Sequence, residues 1–195
     1  MSERGRFLGA FLGVVALHCV AYEPGIEAEV RVAGAPATVA FYTGGGERVE
    51  LEEAVLHIDG VELRRCETAW TLGSVARAHE LELGNGPWRL DLAGGGTIDE
   101  SLIPAPGRYC ALVVHVDGRA FGSVSARLSG RMAGATMNES IADPFDLVIV
   151  LPAPLELDDP GDRPMLELRI DQRKLFDHEG TLAERLQRVA TVSAR

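Results

Sequence analysis

Two segments that carry one cysteine each most constrain how this chain folds. The first covers residues 53–66 and reaches Cys66, and the second covers residues 104–116 and contains Cys110. Both have the composition and the short-period apolar pattern of half-buried β-strands. We therefore predict that both segments are strands of a β protein and that the two cysteines are joined.

The N-terminal residues 1–21 have the three parts of a secretory signal. Arg4 and Arg6 form a positive start, residues 7–17 form an apolar core, and small residues follow. The core has the length of a signal and is too short for a comfortable transmembrane span. We predict that residues 1–21 are an export signal and that residues 22–195 form a single domain. The alternatives are a buried N-terminal helix and a membrane anchor.

Cys19 raises a second outcome for this segment, because a bacterial lipoprotein signal ends at a cysteine that becomes acylated. The residues before it are Ala16, Leu17 and His18, and His18 fits poorly where a small residue is preferred. Lipidation at Cys19, with membrane attachment through the N-terminal lipid, and ordinary cleavage near Ala21 both stay open. In either case we predict an exported protein, periplasmic or anchored to the outer membrane as a lipoprotein.

Export decides how the other two cysteines are interpreted. With Cys19 removed or acylated, Cys66 and Cys110 are an even pair in an oxidising compartment, which favours a disulfide. A bridge that closes a loop of this size would stabilise the fold by about 4 kcal/mol in the chain-entropy model. The alternatives are two buried thiols or two metal ligands.

The remaining sequence predicts many short strands and one helix. Asp59-Gly60 is expected to form a bulge that resets the apolar alternation, with a tight hairpin turn as the alternative. Asp117-Gly118 is expected to form a hairpin turn from which residues 120–128 pair back. Residues 130–144 are poor in apolar residues and predict a surface loop. Thr181-Leu182-Ala183-Glu184 matches a capping box at the start of a short amphipathic helix. The pattern predicts an all-β, two-sheet antiparallel sandwich, immunoglobulin- or transthyretin-like, with a short C-terminal helix.

The net charge of −10, from 29 acidic and 19 basic residues, bears on the partners. It argues against nucleic acid, whose phosphates require a basic face. It argues equally against electrostatic attraction to an anionic membrane surface.

Four side chains are candidates for a metal site. His57 and His115 lie on the two predicted strands that flank the cysteines, and Met132 and Met137 lie in the predicted loop. Imidazole and thioether groups suit copper in an exported protein. The alternative is that the histidines face solvent and the methionines are apolar fillers. Short-range spacings such as His-x-His or Cys-x-x-Cys are absent from the sequence, so we predict no cofactor, with copper as the alternative.

Signals of catalysis are weak. The sequence has no Gly-x-Ser-x-Gly motif, and Gly122-Ser123-Val124-Ser125 falls within a predicted strand and not at a turn into a helix. We therefore predict that the protein is not an enzyme. The alternative is a hydrolase with a site built from loops, since the members of a catalytic triad assemble in space.

The chain resembles the uncharacterised exported β-sandwich lipoproteins of bacteria. The resemblance lies in the strand 54–63 that leads to Cys66, the segment 106–110 before a central strand, and the late strands 145–151 and 166–171. It implies a sandwich and export, and it brings no catalytic residues. The predicted function is a non-catalytic protein of the cell envelope that binds or scaffolds an unknown envelope protein or small ligand. The alternative is an exported copper-binding protein.

Overall fold

The computed structural model describes residues 25–34, 39–66, 84–122, 124–159, 161 and 163–195. Within these ranges it contains strands and one α-helix, α1 (Leu182–Val189). The strands are β1 (Ala28–Gly34), β2 (Ala40–Tyr42), β3 (Arg48–Arg65), β4 (Gly84–Asp91), β5 (Thr97–Leu102), β6 (Gly107–Val116), β7 (Ala126–Met132), β8 (Ala135–Ile141), β9 (Phe145–Leu157), β10 (Met165–Ile170) and β11 (Ala190–Ala194). The predicted signal at 1–21, the lipidation candidate Cys19 and Ser123 lie outside the described residues.

The larger sheet is built on β3, which is long enough to pair with four strands. Along one edge of β3, β7 pairs with its first half and β6 with its second half. Along the other edge of β3, β2 pairs with its first residues and β4 with its middle. The outer strands β8 and β9 pair with β7 and β6, so the sheet has seven strands.

The smaller sheet has the strand order β11-β10-β1-β5. Two sheets with one short helix near the C terminus confirm the predicted fold class. One pair refines it, because β1 and β10 run parallel while the other pairs are antiparallel. Parallel neighbours require a long connection, and here most of the chain lies between these two strands.

The core fills the space between the sheets. The larger sheet contributes the inward-facing residues Leu56, Ile58, Val61, Leu112, Val114 and Leu147, and the smaller sheet contributes Val30, Val32, Leu166 and Leu168. The helix α1 adds Leu182, Leu186 and Val189 to the same cluster. Its predicted capping box is present, since the Thr181 hydroxyl accepts from the Glu184 N–H and the Glu184 carboxylate accepts from the Thr181 N–H.

The predicted bulge at Asp59-Gly60 is confirmed. The register of β3 shifts between Ile58 and Gly60 against both β4 and β6. Because of this extra residue, Ile58 and Val61 both face the core although they are three positions apart. Gly60 and Glu62, which alternate with Val61, therefore occupy the outer face.

The two cysteines are joined, as predicted, by a disulfide from Cys66 to Cys110 with a Cα–Cα distance of 4.8 Å. Cys66 directly follows β3, and Cys110 lies within β6. The bond therefore links two strands that already pair with each other. In the part of the chain that the structure describes, we find no helix long and apolar enough to cross a membrane.

The predicted hairpin at Asp117-Gly118 is wrong. After a 3-10 turn at Arg119–Phe121, the chain enters β7, which pairs with β3 and not with β6. The turn brings the chain along the edge of β3, so that Ala126 pairs with Leu56 just beyond the end of β6. A Cβ on Gly118 would overlap the backbone of Val124, which explains the glycine.

The predicted surface loop at 130–144 is also wrong, since it contains the end of β7 and all of β8. The two strands are joined by a two-residue turn in which Ala133 has φ 50° and Gly134 has φ 83°. Thr136, Asn138 and Ser140 are exposed, whereas the residues between them are half-buried. The segment is poor in apolar residues because β8 is an outer strand with one wet face.

Candidate functional site

The outer face of the larger sheet carries three side chains that meet across three neighbouring strands. On β6, His115 pairs with Gly60 of β3 on one side and with Asp146 of β9 on the other. Glu62 is two residues beyond Gly60 and therefore points to the same face. Register and alternation thus bring together Glu62, His115 and Asp146, which we call the triad.

The imidazole of His115 bridges the two carboxylates. Its Nδ1 lies 2.8 Å from Oδ1 of Asp146, and its Nε2 lies 3.2 Å from Oε2 of Glu62. Arg64 stands beside the triad on β3, with its Nε 3.7 Å from Oε1 of Glu62. The arrangement is a chain of polar groups that runs across the strands.

The triad becomes progressively more exposed from β3 to β9. The exposed fraction of the side chain is 4% for Glu62 and 28% for His115, and it is 49% for Asp146. Burial of an ionisable carboxylate costs free energy unless it is paired. The location of Glu62 is therefore one that packing alone does not favour.

Apolar side chains continue this face along β6 and β9. Val113 lies between Glu62 and Val148 in register and is fully buried, although it is outside the core between the sheets. One row further, Val150 is 74% exposed. We call this surface the triad face; it consists of Glu62, Arg64, Val113, His115, Asp146, Val148 and Val150.

The hydrogen-bonding capacity of the triad limits its chemistry. A neutral imidazole has one donor and one acceptor nitrogen, and an ionised carboxylate only accepts. Both contacts of His115 are therefore satisfied when the ring donates at both nitrogens or when one carboxyl group carries a proton. A neutral ring between two ionised carboxylates can donate to only one of them.

The second predicted histidine, His57, also faces outward on β3 but has other neighbours. Its Nδ1 is hydrogen-bonded to the carbonyl oxygen of Val124. Its ring stacks on Phe121, with the ring centroids 4.3 Å apart and the planes 10° from parallel. His57 therefore fastens the connection between β6 and β7 to the middle of β3.

The predicted methionines do not approach these histidines. Met132 pairs with Val49, eight residues before His57 on β3, a separation of about 26 Å along a strand. Both Met132 and Met137 pack half-buried against the core, the role of apolar fillers.

The triad in this arrangement is not a chelating site. Its two carboxylates lie at opposite nitrogens of one ring, so they are directed away from any common point. Within the described ranges, no group of three or more His, Cys, Asp and Glu side chains is arranged to hold a metal ion. The copper prediction on His57 and His115 is therefore left without a third ligand among these residues.

Ser125, from the segment that the sequence analysis considered for catalysis, is held in place by hydrogen bonds. Ser125 is fully buried, and its hydroxyl donates to the carbonyl of Ala142 and accepts from the N–H of Gly118. These bonds give Ser125 a structural role at the β6–β7 connection.

Sequence reasoning found His115 but missed its two partners. The sequence holds 29 carboxylates, and only the strand register shows which of them meet a histidine. The sequence gives a weak signal for Asp146, because it is the charged residue within the apolar run 145–151. To predict Glu62 as a partner, one would need the position of the bulge and the pairing of β3 with β6.

Comparisons with known proteins add little to this description. No family model and no curated protein matches the chain. Among solved structures it is similar to MbnP from Methylosinus trichosporium, at 12% identity, with 80% of this chain and 79% of that chain covered and a TM-score of 0.41. A similarity at this level assigns no role to any residue described here.

Proposed function

We propose that the protein is a non-catalytic, exported β-sandwich of the cell envelope that binds its ligand on the triad face. The observation that carries the proposal is the buried carboxylate of Glu62, bridged through His115 to Asp146 on the outward side of the sheet. An outward sheet face that serves only stability is expected to carry solvated residues. A buried, hydrogen-bonded charge on such a face is better explained by recognition.

The chemistry of the triad favours a ligand with positive charge or hydrogen-bond donors. Glu62 and Asp146 supply two carboxylates, and Arg64 is the cation that contacts Glu62. Val148 and Val150 add apolar area beside them. The ligand is then a basic or donor-rich group of an envelope protein or of a small molecule, with an apolar part next to it.

The disulfide supports export, because bonds of this type persist in oxidising compartments. Cleavage after residues 1–21 and lipidation of Cys19 remain predictions. They are checked by expressing the full chain in a bacterial host and measuring the mass of the mature protein. The predicted relation to exported lipoproteins depends on the same measurement.

A photo-crosslinking experiment tests the proposed binding face. A photoreactive amino acid replaces Val150 on the triad face or, as a control, Thr191 on the outer face of the smaller sheet. In the native cells, we expect a discrete adduct from position 150 and none from position 191. The adduct should be lost when His115→Gln is added, because this change removes one bridging nitrogen.

Two outcomes of that experiment would contradict the proposal. One is equal adduct formation from both faces, and the other is an adduct at position 150 that survives His115→Gln unchanged. A circular dichroism melt of each variant establishes that the sandwich is folded. Differences in adducts are then attributable to the face and not to the fold.

Copper binding is kept as a second candidate because His57 and His115 share the outer face of neighbouring strands. His115 pairs with Gly60, three residues after His57. Copper binding requires that His115 leave one of its carboxylates and that His57 bind through Nε2. Metal analysis of protein purified without an affinity tag checks this, with His57→Gln as the comparison. Metal content that is equal in both proteins, or absent from both, would contradict it.

A further inference from the structure

The open edge of β8 differs from that of β9, the other outer strand on the same side of the larger sheet. The strand β8 pairs with β7 along its whole length. Among the described residues, no hydrogen bond reaches the backbone of Thr136, Asn138 or Ser140 from the side away from β7. A row of unpaired backbone groups is a template for another strand.

Two devices that block strand addition on β9, a side chain bonded to its edge backbone and prolines, are absent from β8. On β9, the Gln187 side chain donates to the carbonyl of Val148 at 2.6 Å and accepts from its N–H at 2.9 Å. The same strand contains Pro152 and Pro154, which have no N–H to offer. The strand β8, with the sequence ATMNESI, has no proline, lysine or arginine.

The turn before β8 determines which backbone groups face outward. A two-residue turn at Ala133 and Gly134 is closed by the pair Met132 and Ala135. In this type of hairpin the closing pair is hydrogen-bonded, and the bonded pairs then alternate. The N–H and C=O groups of Thr136, Asn138 and Ser140 therefore point away from β7.

We propose that β8 pairs antiparallel with β8 of a second copy of this chain, about a twofold axis at Asn138. An isologous contact of this kind places the two Asn138 residues opposite each other and Thr136 opposite Ser140. These exposed residues are uncharged and small enough to form hydrogen-bonded cross-strand pairs. The two larger sheets then join into one continuous sheet.

Charge is what favours a second copy as the occupant. The chain has a net charge of −10, so most surfaces of two copies repel each other. On β8 the single charged residue is Glu139, and it is already paired with Arg185 of its own chain. Arg131, opposite Thr136 on β7, offsets the acidic surroundings, whereas Arg127, opposite Ser140, already lies 3.6 Å from Glu53.

Disulfide trapping tests this register. The variants are built on the full chain with Cys19→Ser, so that the introduced thiol is the free one beside the Cys66–Cys110 bond. Opposite residues in a hydrogen-bonded antiparallel pair have Cα atoms about 5.5 Å apart, within disulfide range. Asn138→Cys should therefore give a covalent dimer under mild oxidation.

The matched controls use the neighbouring outward positions. In the proposed register, the two copies of residue 136 lie about 13 Å apart along the strands, so Thr136→Cys alone should stay monomeric. A mixture of Thr136→Cys and Ser140→Cys should form the mixed dimer. If Asn138→Cys cross-links no faster than Thr136→Cys, the proposed pairing is wrong.

Sedimentation of the unmodified chain gives a second, independent readout. A charge on the axis, Asn138→Lys, should weaken the dimer by about tenfold or more, because two like charges then lie opposite each other. Ser193→Lys, on the exposed strand β11 of the other sheet, should leave it unchanged. Sedimentation as a 20.9 kDa monomer at every concentration tested would overturn the proposal.

Discussion

The outer faces of the two sheets differ in how they treat charge. On the smaller sheet, arginines pair directly with carboxylates. Arg31 does so with Asp99 at 2.5 Å in solvent, and Arg169 with Glu167, whose side chain is 11% exposed, at 2.8 Å. On the larger sheet, the triad places a carboxylate under cover and holds it through a histidine. In both sheets the outward residues alternate with residues of the same core. The different treatment of charge on the two outer faces therefore does not follow from the fold class.

We interpret the outer face of the smaller sheet as one that stabilises the fold and the triad face as one that is kept for binding. Exposed ion pairs each contribute about 0–1 kcal/mol and are readily replaced. A buried charge network is weak evidence for stability, because apolar residues of similar volume often serve equally well. We therefore expect substitutions on the two faces to behave differently, in size and in their response to solvent.

The largest effect is expected from the disulfide, which holds together the strands that carry Glu62 and His115. Replacing both Cys66 and Cys110 by alanine should lower the free energy of unfolding by about 4 kcal/mol in the chain-entropy model. The measurement is chemical denaturation of each protein. A loss below about 1 kcal/mol would show that this bond does not constrain the larger sheet.

The next effect concerns a broken triad. His115→Val removes the bridge and leaves Glu62 buried beside Arg64, which lies 3.7 Å away. Breaking a buried charge pair is strongly destabilising, and we expect a loss of about 3 kcal/mol. Thr191→Val, a comparable change on the smaller sheet, should shift stability by less than about 0.5 kcal/mol. Equal losses in the two variants would remove the distinction between the faces.

A smaller effect is expected from the exposed pair on the smaller sheet. Asp99→Asn removes the partner of Arg31, whose pKa is raised by the hydrogen bond and charge of Asp99. We expect only a small loss of stability, which shrinks further in high salt. A loss as large as that of His115→Val, or one that salt does not change, would contradict the view of this pair as solvated.

The smallest effect is the pH response of Glu167 on the same face. The hydrogen bond from Arg169 lowers the pKa of Glu167 below its ordinary value of 4.5, with help from the charges of Arg195 and Arg31. A carboxylate whose pKa is lowered by folding stabilises the fold at pH values above its pKa in the unfolded state. This stabilisation is lost as the pH falls through its pKa in the folded state. Wild type should therefore exceed Glu167→Gln in stability at neutral pH and lose that advantage below pH 4.5. An advantage that grows in acid would contradict this sign.

The sequence predicted the local features of this fold better than its long-range pairing. The bulge at Asp59-Gly60 could be predicted because the alternation of apolar residues breaks at these two residues and resumes after them. The capping box at Thr181 followed from four consecutive residues. Both depend on neighbours in the chain, which is what a single sequence records.

Pairing between distant strands was harder to predict. Asp117-Gly118 has the composition of a hairpin turn, but β7 pairs with β3, where the end of β6 leaves its edge open. The strand β8 was missed because one wet face makes an edge strand resemble a loop in composition. The triad depends on the register of two such pairings, β3 with β6 and β6 with β9, so His115 was the one member that the sequence analysis singled out.

The free energy of unfolding of a triad-free variant tests the central claim most directly, namely that the triad is kept for binding and not for folding. The variant replaces the three side chains together by β-forming residues, as Glu62→Val, His115→Val and Asp146→Thr. Because no buried charge is left unpaired, it should be at least as stable as the wild type to within about 1 kcal/mol. A loss of about 3 kcal/mol or more, as large as that of His115→Val alone, would show that the triad is part of what holds the larger sheet together.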